Sequence, residues 1–231
     1  MLRFLSVLCL LTVVRADPFV GKWRLNPSKS RLPDAMTVAV AGPNRYALTF
    51  APGAVDTIVA DGRDHPALQG TTFSITVEGP NNWKMMRKQG DHLLISADWT
   101  LSRDGRTLTD AFTGYRPDGS TLSVHYVYER TAGSSGFPGT WDSVKEEVGT
   151  VIELTIQPNQ DGGLSFESHE LALSLSSARR VNERSLEITD KSQGKVTSTQ
   201  QVELSSDLKT LTMTARQGDR SKPTVLVFER E

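Results

Sequence analysis

Asp110 is the residue on which chemistry could turn. It falls in phase with Leu108 and Phe112, which in a strand places a carboxyl on the face that should be buried. An inward carboxyl costs several kcal/mol unless something pairs with it. Trp83, Trp99, Phe112, Tyr126 and Tyr128 could line the same interior, so these six residues form the candidate ligand-binding set. A β-bulge that turns Asp110 outward, or a structural salt bridge, would explain the same pattern without a ligand.

The other reactive side chains point to structure. The four histidines, His65, His92, His125 and His169, show no metal-ligand spacing, and no metal or other cofactor is expected. Asp61-Gly62-Arg63-Asp64-His65-Pro66 invites a general-base pairing, but its Gly, Pro and charges suit an exposed turn better. Asn159-x-Asp161-Gly162 resembles the start of a calcium loop, yet Gln157 and Ser168 stand where carboxylates are needed. It reads as a turn. No Gly-x-Ser-x-Gly elbow occurs. No catalytic residue is assigned. An enzyme, such as an isomerase acting on a bound ligand, would need a buried acid–base pair, and Asp110 is the sole candidate.

The elements that must position these groups are strands. Tyr46, Leu48 and Phe50 alternate with polar or small residues, as do Phe73, Ile75 and Val77. Leu93, Ile95, Ala97, Trp99 and Leu101 form a longer ladder. Period-two patterns of this kind bury one face of a sheet. Asp61-Gly62, Asp104-Gly105 and Asp118-Gly119 supply tight turns. About nine strands precede residue 132 and about eight follow it, with no convincing helix. Phe19-Val20-Gly21-Lys22-Trp23 recurs as Phe137-Pro138-Gly139-Thr140-Trp141, and Tyr128-Glu129-Arg130 recurs as Phe228-Glu229-Arg230. Ser102-Arg103-Asp104-Gly105-Arg106-Thr107-Leu108-Thr109 likewise matches Ser205-Ser206-Asp207-Leu208-Lys209-Thr210-Leu211-Thr212. Trp to closing Arg spans 130 − 23 = 107 residues, then 230 − 141 = 89. A period near a hundred residues means duplicated domains, expected at 17–132 and 136–231. Residues 131–136 read as a small, flexible linker between them. Met213 stands in the second half where Asp110 stands in the first, which predicts a pocket in one half and a filled core in the other.

The start of the chain reads as a signal peptide, residues 1–16. A short basic opening precedes an apolar run over 4–14, with cleavage expected after Ala16. The run is too short to span a bilayer, so no stable membrane insertion is expected once it is removed. Leu8 precedes Cys9 where bacterial lipidation wants a small residue. Secreted or periplasmic export follows. Removal of Arg3 and Arg15 leaves 24 basic against 27 acidic residues, a net charge of 24 − 27 = −3. That argues against nucleic acid as a partner. The sole cysteine also goes, and with it disulfides and thiol chemistry.

A first-strand Gly-x-Trp with an Arg ending the last strand resembles the calycin pattern of lipocalins and their relatives. The run from Trp23 to Ser30 and the ending Val127-Tyr128-Glu129-Arg130 also resemble small exported bacterial lipocalin-like proteins. The resemblance implies an all-β chain of two tandem antiparallel β-barrels. It implies that the Arg packs across the Trp and plugs one end, with Gly21, Trp23 and Arg130 closing one barrel and Gly139, Trp141 and Arg230 the other. A guanidinium over an indole contributes about 1–2 kcal/mol when partly desolvated. The expected function is non-enzymatic binding of a small, mostly apolar ligand in the first barrel. The alternative is a protein-interaction or inhibitor module with filled barrels. Oligomeric state is left open.

Overall fold

The computed structural model describes residues 16–51, 53–171, 173–175, 178–192, 195–217 and 222–231. The apolar leader, apart from Ala16, lies outside them. Among these residues nineteen strands run antiparallel. They begin with β1 (Gly21–Leu25), β2 (Ala35–Gly42), β3 (Arg45–Ala51), β4 (Ala54–Val59) and β5 (His65–Pro66). A short 3-10 turn at Leu68–Gly70 precedes β6 (Thr72–Gly79), β7 (Asn82–Gln89), β8 (His92–Leu101), β9 (Thr107–Tyr115) and β10 (Thr121–Ala132). Then come β11 (Gly139–Val148), β12 (Glu153–Pro158), β13 (Leu164–Ser168), β14 (Leu173–Leu175) and β15 (Arg179–Asn182). The last are β16 (Ser185–Ser192), β17 (Lys195–Leu204), β18 (Thr210–Gln217) and β19 (Thr224–Arg230). No α-helix occurs among the described residues.

The strands form two curled sheets, a nearly closed barrel and a half-barrel. The first has the order β4-β3-β2-β11-β10-β9-β8-β7-β6-β5. Its seam is drawn together where Gly62 N–H donates to Ile75 O at 2.9 Å and Leu68 N–H donates to Asp56 Oδ1 at 2.8 Å. The second has the order β14-β13-β12-β1-β19-β18-β17-β16-β15. Each sheet encloses its own apolar core, one around Leu48, Ile75, Trp99 and Trp141, the other around Phe19, Trp23, Phe166 and Phe228.

The sheets do not follow the two halves of the sequence. β1 lies between β12 and β19, and β11 lies between β10 and β2. The halves have exchanged their first strands. The first barrel is therefore the continuous stretch 35–148, and the second sheet combines 21–25 with 153–230. This corrects the expected division at 132 and 136. Residues 131–136 are not an interdomain linker. They fall at the end of β10 and in the connection 133–138 that joins β10 to its direct neighbour β11. A connection this short keeps consecutive antiparallel strands side by side. Once β11 follows β10 into the first barrel, β1 is left to close the second.

Candidate functional site

The floors of the barrels come from the repeated motif. Arg130 Cζ sits 4.1 Å from the Trp141 ring, and Arg230 Cζ sits 4.1 Å from the Trp23 ring. The expected partners, Trp23 with Arg130 and Trp141 with Arg230, are thus interchanged, because the strands that carry the tryptophans are exchanged. Each arginine also caps backbone carbonyls that a barrel end would leave unpaired. Arg130 donates to Gly105 O at 2.7 Å, Pro138 O at 2.6 Å and Gly136 O. Arg230 donates to Leu208 O at 2.9 Å, Val20 O at 3.0 Å and Pro18 O. Each indole N–H donates four residues back, Trp23 to Phe19 O at 3.0 Å and Trp141 to Phe137 O at 2.9 Å. The glycine is required twice over. Gly139 has φ +155°, and a Cβ there would lie 2.5 Å from an Arg130 nitrogen. Gly21 has φ +147°, and its Cβ would lie 2.9 Å from an Arg230 nitrogen.

Above the first floor, Trp83 stacks on Phe137 at 4.1 Å and lies 6.3 Å from Trp99. Beyond this aromatic layer the barrel holds a cavity of about 370 Å³. Trp99, Asp110, Phe112, Tyr126 and Tyr128 all line it. Trp83 does not; it is buried in the layer beneath, 5% exposed. Three adjacent strands place these residues. Asp110 on β9 pairs with Trp99 on β8 and with Tyr126 on β10, and alternation aims Phe112 and Tyr128 into the same face. β9 runs without a register shift against either neighbour. The bulge that would turn Asp110 outward is absent, and the residue is 6% exposed.

Among the described residues no ion pair involves Asp110, and its Oδ1 and the nearby Trp99 Nε1 have no hydrogen-bond partner. Burial pushes its carboxyl up to about 7. The Trp99 indole opposes this without reaching hydrogen-bond geometry, while the negative charges of Asp34 and Asp98 add to it. A second carboxyl, Asp34, lines the same cavity. It accepts a hydrogen bond from Tyr128 Oη at 3.0 Å. Its backbone is held by the exchanged strand, with Ser143 N–H donating to Asp34 O at 2.8 Å and Asp34 N–H donating to Ser143 Oγ at 2.9 Å. Burial and both carboxyls hold the Tyr128 phenol well above its ordinary value.

Arg87 is the guanidinium in the wall. It is ion-paired with Asp56, donates to Thr71 Oγ1 at 2.8 Å and lies 4.8 Å from the Phe73 ring. This cluster ties β7 to β4 across the seam. Asp34 and Arg87 were missed from sequence. Asp34 lies in an irregular connection with no periodicity to place it, whereas Arg87 is in phase with the buried Trp83 and Met85 on β7, so alternation already turns it inward, where Asp56 meets its charge. Phe50, Phe73 and Ile95 also line the cavity, and their alternating ladders do mark them as inward-facing.

In the second core Met213, 3% exposed, occupies the place of Asp110, between Val202 and Leu226. His65 Nε2 and Asp61 Oδ1 lie 2.8 Å apart in a partly exposed turn. Asn159 Oδ1 accepts the N–H groups of Asp161 and Gly163, at 3.1 and 2.7 Å, which makes that loop an Asx turn. No protein-family model, curated protein or solved structure matches this chain.

Proposed function

We propose that the protein is an exported, non-enzymatic binding protein that holds a small, mostly apolar molecule inside its first barrel. The observation that carries this reading is the cavity of about 370 Å³ above the aromatic layer, walled by Trp99, Phe112, Tyr126 and Tyr128 with Asp110 set into the apolar surface. Its size falls in the lower part of the ~300–1,000 Å³ range of small-molecule sites, and aromatic walls with few polar groups are what such sites share. Export rests on the leader-like opening of the sequence. The interaction-module alternative supposes filled barrels, and the cavity counts against it for the first. The test is native mass spectrometry of protein purified from its own host. Retention of a small adduct by wild type, lost on filling the cavity with Ala97→Phe, is the expected result. A ligand-free mass from fully folded protein overturns the reading.

A further inference from the structure

We propose that the cavity's ligand is a protonated amine on a compact apolar body, with its ammonium held between the carboxyls of Asp110 and Asp34. This rests on the reading of the first barrel as a binding protein and names the chemical class that the site takes.

The charge inventory of the wall carries the inference. Its ionisable groups of ordinary acid or base strength are Asp34, Asp110 and Arg87, with Asp34 accepting a hydrogen bond from Tyr128 Oη at 3.0 Å. Arg87 is engaged by Asp56, Thr71 and the Phe73 ring, so it has little left to recruit an anionic ligand. The two carboxyls are close enough for each other's charge to matter, and Asp110 keeps an oxygen without a hydrogen bond. Two carboxylates lining one low-dielectric space repel when both are ionised; a proton on Asp110 relieves this below about pH 7, and an ammonium relieves it above. A neutral hydroxyl could satisfy one acceptor but would leave the repulsion, and an anion would deepen it. The remaining walls suit a cation as well. Trp99, Phe112, Tyr126 and Tyr128 surround the carboxyls with aromatic rings, and the faces of such rings attract an ammonium.

A pH signature follows. The groups that bear on Asp110 are Trp99 and Asp98 on β8, Tyr126 and Tyr128 on β10, and Asp34 before β2, with the Arg87–Asp56 pair across the cavity. Near pH 6 the empty site holds a proton on Asp110, whose midpoint is about 7. An ammonium requires the ionised form, so binding expels that proton and tightens as pH rises through about 7. An amine with a pKa of about 10 stays charged throughout.

Isothermal titration of the full chain with tryptamine and its neutral counterpart tryptophol tests this. At about pH 8 tryptamine should bind at least about ten-fold tighter. That advantage should shrink by about ten-fold one pH unit below the Asp110 midpoint. Asp110→Asn should lose most of the difference between the probes. Wild type titrated near pH 6 in two buffers of different ionisation heat should show proton release with tryptamine alone, which needs no variant to fold. Tryptophol binding as tightly as tryptamine, or a tryptamine affinity that ignores pH, overturns the amine while leaving the binding protein standing. If neither probe binds and the native mass is ligand-free, both proposals fall.

Discussion

In the first barrel Arg130 stands 4.1 Å from the Trp141 ring, and in the second Arg230 stands 4.1 Å from the Trp23 ring. Each arginine donates three hydrogen bonds to carbonyls, and each glycine leaves room where a Cβ would strike the guanidinium. A few residues up the neighbouring strand the likeness ends. Asp110 borders a cavity, while Met213 is packed into apolar neighbours. The repeat is retained where it closes a sheet and abandoned where the interior opens. Residues that look most alike between the halves therefore close the sheets, and the cavity lies where they differ.

The strongest way to break this contrast is to exchange the two interiors. Met213→Asp puts a carboxyl into a core with no cavity-lining partner described around it. It should cost about 4–5 kcal/mol in urea unfolding at neutral pH; a cost under about 1 kcal/mol would mean that the second interior tolerates charge as the first does.

A slightly smaller effect lies in Asp110 itself. Its carboxyl has an ordinary value of 3.8 and titrates at about 7 in the fold. Between those limits the unfolded chain has released the proton and the folded chain still holds it. Stability therefore falls as pH rises from about 4 to about 7 and levels off above, with a total loss of about 4 kcal/mol from this group. Asp110→Asn should remove that slope. Parallel pH–stability curves for the variant and wild type would show that the carboxyl is not desolvated. No such slope is expected from Met213, which does not titrate.

The floors give the finest test. A double-mutant cycle between Trp23→Leu and Arg230→Met should return a coupling of about 1–2 kcal/mol. The same cycle between Trp23→Leu and Arg130→Met should return none. Reversed couplings would restore the unexchanged pairing.

Most of the first barrel was legible in the chain. Alternation along Leu93–Leu101 and Leu108–Phe112 gave the strands and their buried face, and placed Asp110 beside aromatic residues, because a strand has only two faces to choose from. Trp83 shares that inward face but sits one layer lower; alternation says which side of a sheet a residue occupies, not how far the space extends along it. The exchange of first strands was hidden by the repeat. Both Gly-x-Trp copies fit both closing arginines, so local motifs are blind to which is used. The short connection 133–138 decides it, and reading that stretch as a flexible linker concealed the decision.

The exchanged strand also orders events during synthesis. Trp23 leaves the ribosome 130 − 23 = 107 residues before Arg130 and 230 − 23 = 207 residues before its true partner Arg230. At ~5–20 residues per second the wrong arginine precedes the right one by some 5–20 s. Only 141 − 130 = 11 residues separate Arg130 from Trp141, its rightful tryptophan. The short separation lowers the loop-closure cost of pairing Arg130 with Trp141 relative to pairing it with the chain's own opening strand.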